Sequence, residues 1–129
     1  MQLGSIALLV RAYDEALAYY VGVLGFRLLE DTDLGAGKRW VRIAPHGAET
    51  GLLLALARGE AQQKAIGNQS GGRVFLFLHT TSFWADYHRL QGRGVQFLEE
   101  PRQESYGLVV VFADVYGNKW DLLEVPLGL

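Results

Sequence analysis

The chain contains no cysteine and only 3 prolines among its 129 residues. Without thiols, disulfide frameworks, thiolate metal sites and cysteine nucleophiles are all excluded. No apolar stretch approaches the roughly 18 residues that a membrane-spanning helix needs, so no membrane partner is expected. The 16 glycines, set against so few prolines, favour many short strands joined by tight turns.

The chain also lacks a large excess of charge of either sign, because it contains 12 Lys and Arg residues and 14 Asp and Glu residues. A nucleic-acid surface needs clustered basic charge, so no nucleic-acid partner is expected. The opening MQLGSIALLV has no basic residue before its apolar stretch and does not resemble a secretory signal, so we expect a cytoplasmic protein. The length predicts one domain over residues 1–129.

The pattern of apolar residues predicts the order β-α-β-β-β twice along the chain. In the first half, a helix between Asp14 and Gly25 and a loop over 31–37 accompany strands at 3–10, 26–30, 38–44 and 51–57. In the second half, a helix over 83–91 and a loop over 101–107 accompany strands at 73–79, 95–99, 108–113 and 119–125. The polar residues 58–72 are interpreted as a connector, which gives modules at about 1–57 and 73–129.

The two halves also align locally in sequence. The segment GFRLLE, which begins at Gly25, matches GVQFLE, which begins at Gly94, and Ala16 aligns with Ala85 at the same offset. The identity is low, but the order of elements agrees throughout. An internal duplication is therefore predicted.

Two segments carry a resemblance to a known family. YDEALAYYVGVLGF leads from the first predicted helix into a strand, and DVYGNKWDLLE closes the second half. With the duplicated order, they resemble the vicinal oxygen chelate superfamily, which includes glyoxalases, bleomycin resistance proteins and extradiol dioxygenases. The resemblance implies an α+β fold in which two βαβββ modules with mixed sheets form an open cup, with the helices on the convex faces. It also implies a homodimer that holds a small molecule, often with a divalent metal, in the cup.

Enzymes of this superfamily bind their metal through His and Glu side chains on particular strands. By resemblance, the corresponding positions here are Ser5, residues 52–54, Arg73 and Asp121. Only Asp121 is a competent ligand, because serine is a poor one, leucine is none and arginine is a fixed cation. Since a divalent site needs about three converging oxygen or nitrogen donors, we expect no metal and no other cofactor.

The resemblance places Arg73 and Asp121 at equivalent positions in the cup wall. They could form an ion pair that fills the vacated metal site. Alternatively, Arg73 could bind a carboxylate or phosphate of a ligand, which Asp121 would orient. Alternation along the strand places Phe75, Phe77 and His79 on the face of Arg73, a combination typical of a ligand pocket.

Trp40 and Arg42 share one face of another predicted strand. They could add an aromatic and cationic wall to the ligand site. The alternative is a solvated face at the edge of the sheet, where charged residues usually point to water.

The sequence therefore predicts a glyoxalase/bleomycin-resistance-like protein that binds a small anionic or aromatic molecule without the usual metal site. The alternative is a metal-dependent lyase or dioxygenase with a reduced metal site that uses Asp121 and His79. Whether a reaction is catalysed stays open, because this cup hosts unrelated chemistries.

Overall fold

A computed structural model describes residues 1–126 of the chain. It divides into two compact units, Met1–Ile66 and Gly67–Leu129, here called the first and second modules. The elements are β1 (Ser5–Val10), α1 (Tyr13–Tyr20), β2 (Arg27–Gly35), β3 (Lys38–Ala44), β4 (Gly51–Leu56), α2 (Gly59–Ala65), β5 (Val74–His79), α3 (Phe83–Gly92), β6 (Gln96–Phe97), β7 (Arg102–Glu104), β8 (Gly107–Ala113) and β9 (Lys119–Glu124). The predicted α+β class with a mixed sheet in each half is confirmed, whereas a single domain stays a prediction.

The first module contains one mixed sheet, with strand order β1-β4-β3-β2. β1 pairs with β4 in parallel, and the other pairs are antiparallel. Helix α1 packs on β3 and β4. Along the strands of this sheet, side chains that face the core alternate with more exposed side chains. The buried side chains facing this helix include Leu8, Val10, Val41, Ile43 and Leu54. We call the opposite side the far face of the first sheet.

The predicted loop at 31–37 is wrong in its first part, because β2 continues to Gly35. The Arg39 guanidinium on β3 lies 2.6 Å from the Asp31 carboxylate and 2.8 Å from Asp14 on α1. A pair of oppositely charged side chains on neighbouring strands stabilises a sheet, even though neither side chain is apolar. A cross-strand ion pair therefore keeps an aspartate-rich segment extended, and sequence patterning alone does not reveal such a pair.

The second module repeats the arrangement, with strand order β5-β9-β8-β6 and an additional short strand, β7, paired with β8. α3 packs on this sheet through a chain of aromatic rings in which consecutive centroids are 4.6, 6.0 and 5.9 Å apart. The rings belong to Tyr87, Phe97, Phe112 and Trp120. Contacts of this geometry stabilise a core beyond the area that they bury. The side opposite α3 is the far face of the second sheet.

The aligned glycines of the predicted repeat have the same backbone conformation. Gly25 has a φ of 81° and Gly94 a φ of 85°, and both follow the helix of their module. Only glycine adopts this left-handed conformation at little cost, and it commonly follows a helix end. The shared geometry supports the interpretation of the two halves as copies of one unit.

Among residues 1–126, no helix is both long enough and apolar enough to cross a membrane.

Candidate functional site

The turn between β8 and β9 is built around a buried carboxylate, that of Asp114. It accepts hydrogen bonds of 2.9 Å from the backbone N–H groups of Tyr116 and Asn118 and from the Asn118 side-chain amide. Gly117 supplies the positive φ, 93°, that the turn requires. The segment DVYGNKWDLLE, which carried the family resemblance, therefore begins with a structural motif. This turn fixes the register of β9 and so the position of Asp121.

Asp121 lies in the middle of the second sheet, on its far face. Its direct neighbours are Phe77 on β5, in parallel pairing, and Val111 on β8, in antiparallel pairing. Trp120 and Leu122, on either side of it in sequence, are buried on the opposite face. The Phe77 side chain is 59% exposed. A large exposed aromatic ring thus lies beside a carboxylate.

One oxygen of this carboxylate, Oδ1, is buried and accepts no hydrogen bond from any residue among 1–126. Burial raises the pKa of Asp121 above its ordinary value, the positive charge of Arg102 lowers this pKa, and the negative charge of Glu99 raises it. The charged form of Asp121 is therefore destabilised in the folded protein.

Arg102 and Glu99 form an ion-pair network near Asp121. Glu99 accepts a hydrogen bond of 2.9 Å from Arg102 Nε and one of 3.0 Å from the Val111 N–H, and Arg102 Nη1 lies 2.6 Å from Glu104. The predicted loop over 101–107 is wrong here, because Arg102–Glu104 forms β7. Sequence analysis missed Arg102 for that reason, whereas it placed Glu99 at the end of a predicted strand without a role. The available signal was a basic residue flanked by acidic residues in the segment EEPRQE.

The structure does not pair Arg73 with Asp121 as the ion-pair interpretation expected. Arg73 is exposed and precedes β5, which begins at Val74. The register shifts between Val74 and Leu76, and this irregularity breaks the alternation that placed Arg73 on the face of Phe77. Within residues 1–126, the Arg73 guanidinium forms no ion pair, and the charged neighbours of Asp121 are Arg102 and Glu99.

The other predicted site residues of β5 are Phe75, Phe77 and His79. Phe75 lies at the register shift and is partly buried. His79 is exposed and pairs with Leu123, so it lies two residues beyond Phe77 on the same face. It also lines a surface cavity of about 410 Å³ with Thr80, Thr81 and Val125.

In the first module, Trp40 and Arg42 lie on the far face, as their alternation predicts. Arg42 pairs with Leu53 across the sheet, and its Nε donates a hydrogen bond of 2.9 Å to the Ser5 hydroxyl. The Trp40 side chain is 41% exposed. The far face of this sheet therefore presents an accessible indole and a partly buried guanidinium.

The residues at the ligand positions that the resemblance implies do not fit a divalent metal. Ser5, at a ligand position by resemblance, already accepts a hydrogen bond from a guanidinium, which repels a cation. Leu52 and Leu54 are buried in the core, and leucine offers no donor. Over residues 1–126, no three His, Asp or Glu side chains are grouped so that they could hold a metal ion.

Comparison with known proteins identifies relatives of this chain. An uncharacterized protein of Shewanella frigidimarina is 52% identical over 122 residues, which cover 93% of this chain and 90% of that protein. The crystal structure of TnmS3, described as an antibiotic binding protein from Streptomyces sp. CB03234, has a TM-score of 0.81 and 30% identity, covering 98% of this chain and 97% of that one. A member of the glyoxalase/bleomycin resistance protein/dioxygenase superfamily from Sphaerobacter thermophilus has a TM-score of 0.82 and 29% identity, covering 96% and 97%.

The family model of this superfamily matches residues 2–122, nearly the full length of the chain. The protein belongs to the Glyoxalase/Bleomycin resistance protein/Dioxygenase superfamily.

Proposed function

We propose that the protein binds a small aromatic or anionic organic molecule through the far faces of its sheets, without a metal at the usual positions. The observation that carries the proposal is the pair formed by Phe77 and Asp121, an exposed ring directly beside a partly buried carboxylate. Small-molecule sites typically combine aromatic area with a few polar groups that orient the ligand. The proposed ligand-binding residues are Trp40, Arg42, Arg73, Phe75, Phe77, His79 and Asp121.

The description of TnmS3 as an antibiotic binding protein supports this proposal, because that protein has a similar fold and an antibiotic is a small molecule. Fold alone does not establish function, whereas the residues of the far faces specify what a ligand could contact. Exposed aromatic side chains are costly to leave in water, and two of them, Trp40 and Phe77, lie on the faces that carry the polar candidates. We propose that Arg42, which lies on a far face, meets an anionic group through the planar fork of its guanidinium.

The test is a ligand-detected NMR and thermal-shift screen with planar aromatic carboxylates, beginning with 2-naphthoate. We expect Trp40→Ala and Phe77→Ala to weaken binding. Arg42→Met should weaken the binding of carboxylates only. Trp84→Ala is the matched control, because Trp84 is 49% exposed but lies on α3. Equal losses in Trp84→Ala and Phe77→Ala would contradict the proposed site.

The same preparation decides the metal-dependent alternative. Metal analysis of the purified protein, with thermal shifts in Ni²⁺, Zn²⁺, Mn²⁺ and Fe²⁺, should give no stoichiometric ion. An ion bound through Asp121 and His79 would favour a metal-dependent lyase or dioxygenase. A homodimer and a cytoplasmic location stay predictions, and light scattering that gives one chain per particle would contradict the first.

A further inference from the structure

We propose that a surface cavity beside α3 binds a small organic cation, a primary amine carried on an aromatic or apolar body. The cavity has a volume of about 440 Å³ and lies between α3 and the segment that contains β6. A volume of this size accommodates a small organic molecule. The cavity is lined by two residues of α3, Tyr87 and Gln91, and by residues 95 and 97–100. None of the residues proposed above to bind a ligand lines it, so this is a second site of the second module.

The hydroxyl of Tyr87 is the observation that carries the inference. Tyr87 is only 6% exposed, and its ring packs on that of Phe97 with the two centroids 4.6 Å apart. Its hydroxyl forms no hydrogen bond with any residue among 1–126, yet it is not one of the buried unpaired polar atoms, so this oxygen is open to solvent. Because Tyr87 lines the cavity, a molecule bound there can reach the oxygen. The hydroxyl of a buried tyrosine usually has a partner, and a ligand would supply one.

The charged groups that line the cavity favour a cation over an anion. Glu99 and Glu100 contribute two carboxylates, and none of the lining residues in the described part of the chain is a lysine or an arginine. The charge of Glu99 is already paired with Arg102. Glu100 is exposed and forms no ion pair within residues 1–126. An ammonium group would therefore meet an uncompensated negative charge, whereas a carboxylate or phosphate would be repelled.

The walls of the cavity suit an aromatic or apolar body. Leu98 is 44% exposed, and Phe97 beside it is partly buried. Phe97 pairs with Phe112 across the sheet, which fixes this wall to the core of the second module. An ammonium group close to an aromatic ring also gains a cation–π attraction. The ligand body would thus cover Leu98 and Phe97, while its ammonium group donates a hydrogen bond to the Tyr87 hydroxyl.

The experiment compares three probes of similar shape: 2-phenylethylamine, 2-phenylethanol and 3-phenylpropanoate. Their dissociation constants are measured at neutral pH by NMR titration of the isotope-labelled full chain. We expect the amine to bind about tenfold more tightly than the alcohol, since a hydrogen bond from a charged group has that effect. The carboxylate should not bind in the cavity. The amide signals that the amine shifts should belong to the residues that line the cavity.

Three variants assign the binding to this cavity. Tyr87→Phe removes only the hydroxyl and should weaken amine binding about fivefold, the effect of one hydrogen bond. Glu100→Gln removes the unpaired charge and should weaken it about threefold, an effect that added salt reduces. The matched control is Glu49→Gln, which removes an exposed carboxylate from the first module and should leave the affinity unchanged.

Circular dichroism shows whether Tyr87→Phe folds, and Glu100→Gln, at an exposed position, tests the same cavity if it does not. Equal affinities of the wild type for the amine and the alcohol would overturn the inference, as would an amine affinity that either folded variant leaves unchanged. Failure of the amine to bind would also overturn it. Shifts confined to the surroundings of Trp40 and Phe77 would assign the amine to the far faces, which rejects the second site and leaves the proposed function intact.

Discussion

Replacement of Asp121 by leucine should make the protein more stable. A buried polar atom without a hydrogen bond costs about 1–3 kcal/mol, and Oδ1 of Asp121 is such an atom. Because Asp121 as a whole is only partly buried, the lower end applies, and we expect a gain of about 1 kcal/mol. Leucine also places an apolar side chain between Phe77 and Val111. For a chain of this length, the gain corresponds to a rise in Tm of about 4 °C.

The gain should depend on pH in a defined direction. Burial raises the pKa of Asp121 in the folded state above its ordinary value of 3.8, which applies to the unfolded chain. At pH values below 3.8 both states are protonated, and the cost of a buried charge is absent. As the pH rises through 3.8 and then through the higher folded pKa, the unfolded chain loses its proton first and the wild type loses stability. The advantage of Asp121→Leu is therefore small near pH 3 and complete at neutral pH.

Urea unfolding of both proteins between pH 3 and pH 8 measures this difference. Glu100→Gln removes an exposed carboxylate from the same module, and its stability should stay within about 0.5 kcal/mol of the wild type at each pH. A lower stability of Asp121→Leu would refute the reasoning. A gain that does not change with pH would also refute it, because the gain would then come from packing alone.

Three further predictions test other parts of the second module. Asp114→Ala should lower the free energy of unfolding by about 3 kcal/mol in urea titrations, because it removes three hydrogen bonds and leaves the buried Asn118 amide unpaired; unchanged stability would contradict the structural role of the turn. Gly94→Ala should lower the free energy of unfolding by about 1 kcal/mol in the same assay. The loss comes from the φ of 85° alone, because no atom lies close to the added methyl group. A larger loss would indicate a steric clash. Arg102→Met should raise the pKa of Asp121 further by removing a positive charge, which an NMR titration of the Asp121 carboxyl carbon measures; a fall in that pKa would contradict the network.

The fold was predictable where local pattern and packing agree. β3 has the boundaries that the sequence predicts, because an alternating strand faces the core on one side only. The repeat was visible through Gly25 and Gly94, since both positions need a left-handed backbone. The continuation of β2 beyond Glu30 was missed because a charged pair between Arg39 and Asp31 supports it, which no periodicity shows. β7 was missed because it depends on pairing with β8.

The candidate site was predictable only in part, and for a related reason. Phe77 and Asp121 lie on one face as alternation requires, and the structure adds that they are direct partners. The position of Arg73 was not predictable, because a single register shift in β5 breaks the alternation at its start. The charged neighbours of Asp121 come from β7 and the chain before it, and their approach depends on tertiary pairing with β8.

The far faces of the two modules differ in charge, although the modules share one arrangement of strands. The offset that aligns Gly25 with Gly94 also aligns Arg42 with Val111. Each of these two residues pairs with a residue in the middle of the last strand of its module. Arg42 pairs with Leu53, and Val111 pairs with Asp121. One copy thus carries a basic residue in this cross-strand row and the other an acidic one, while the helix-facing rows of both stay apolar. Packing against the helices explains why the helix-facing rows of both copies are apolar, whereas packing does not explain why each copy carries a charged residue in this row of its far face.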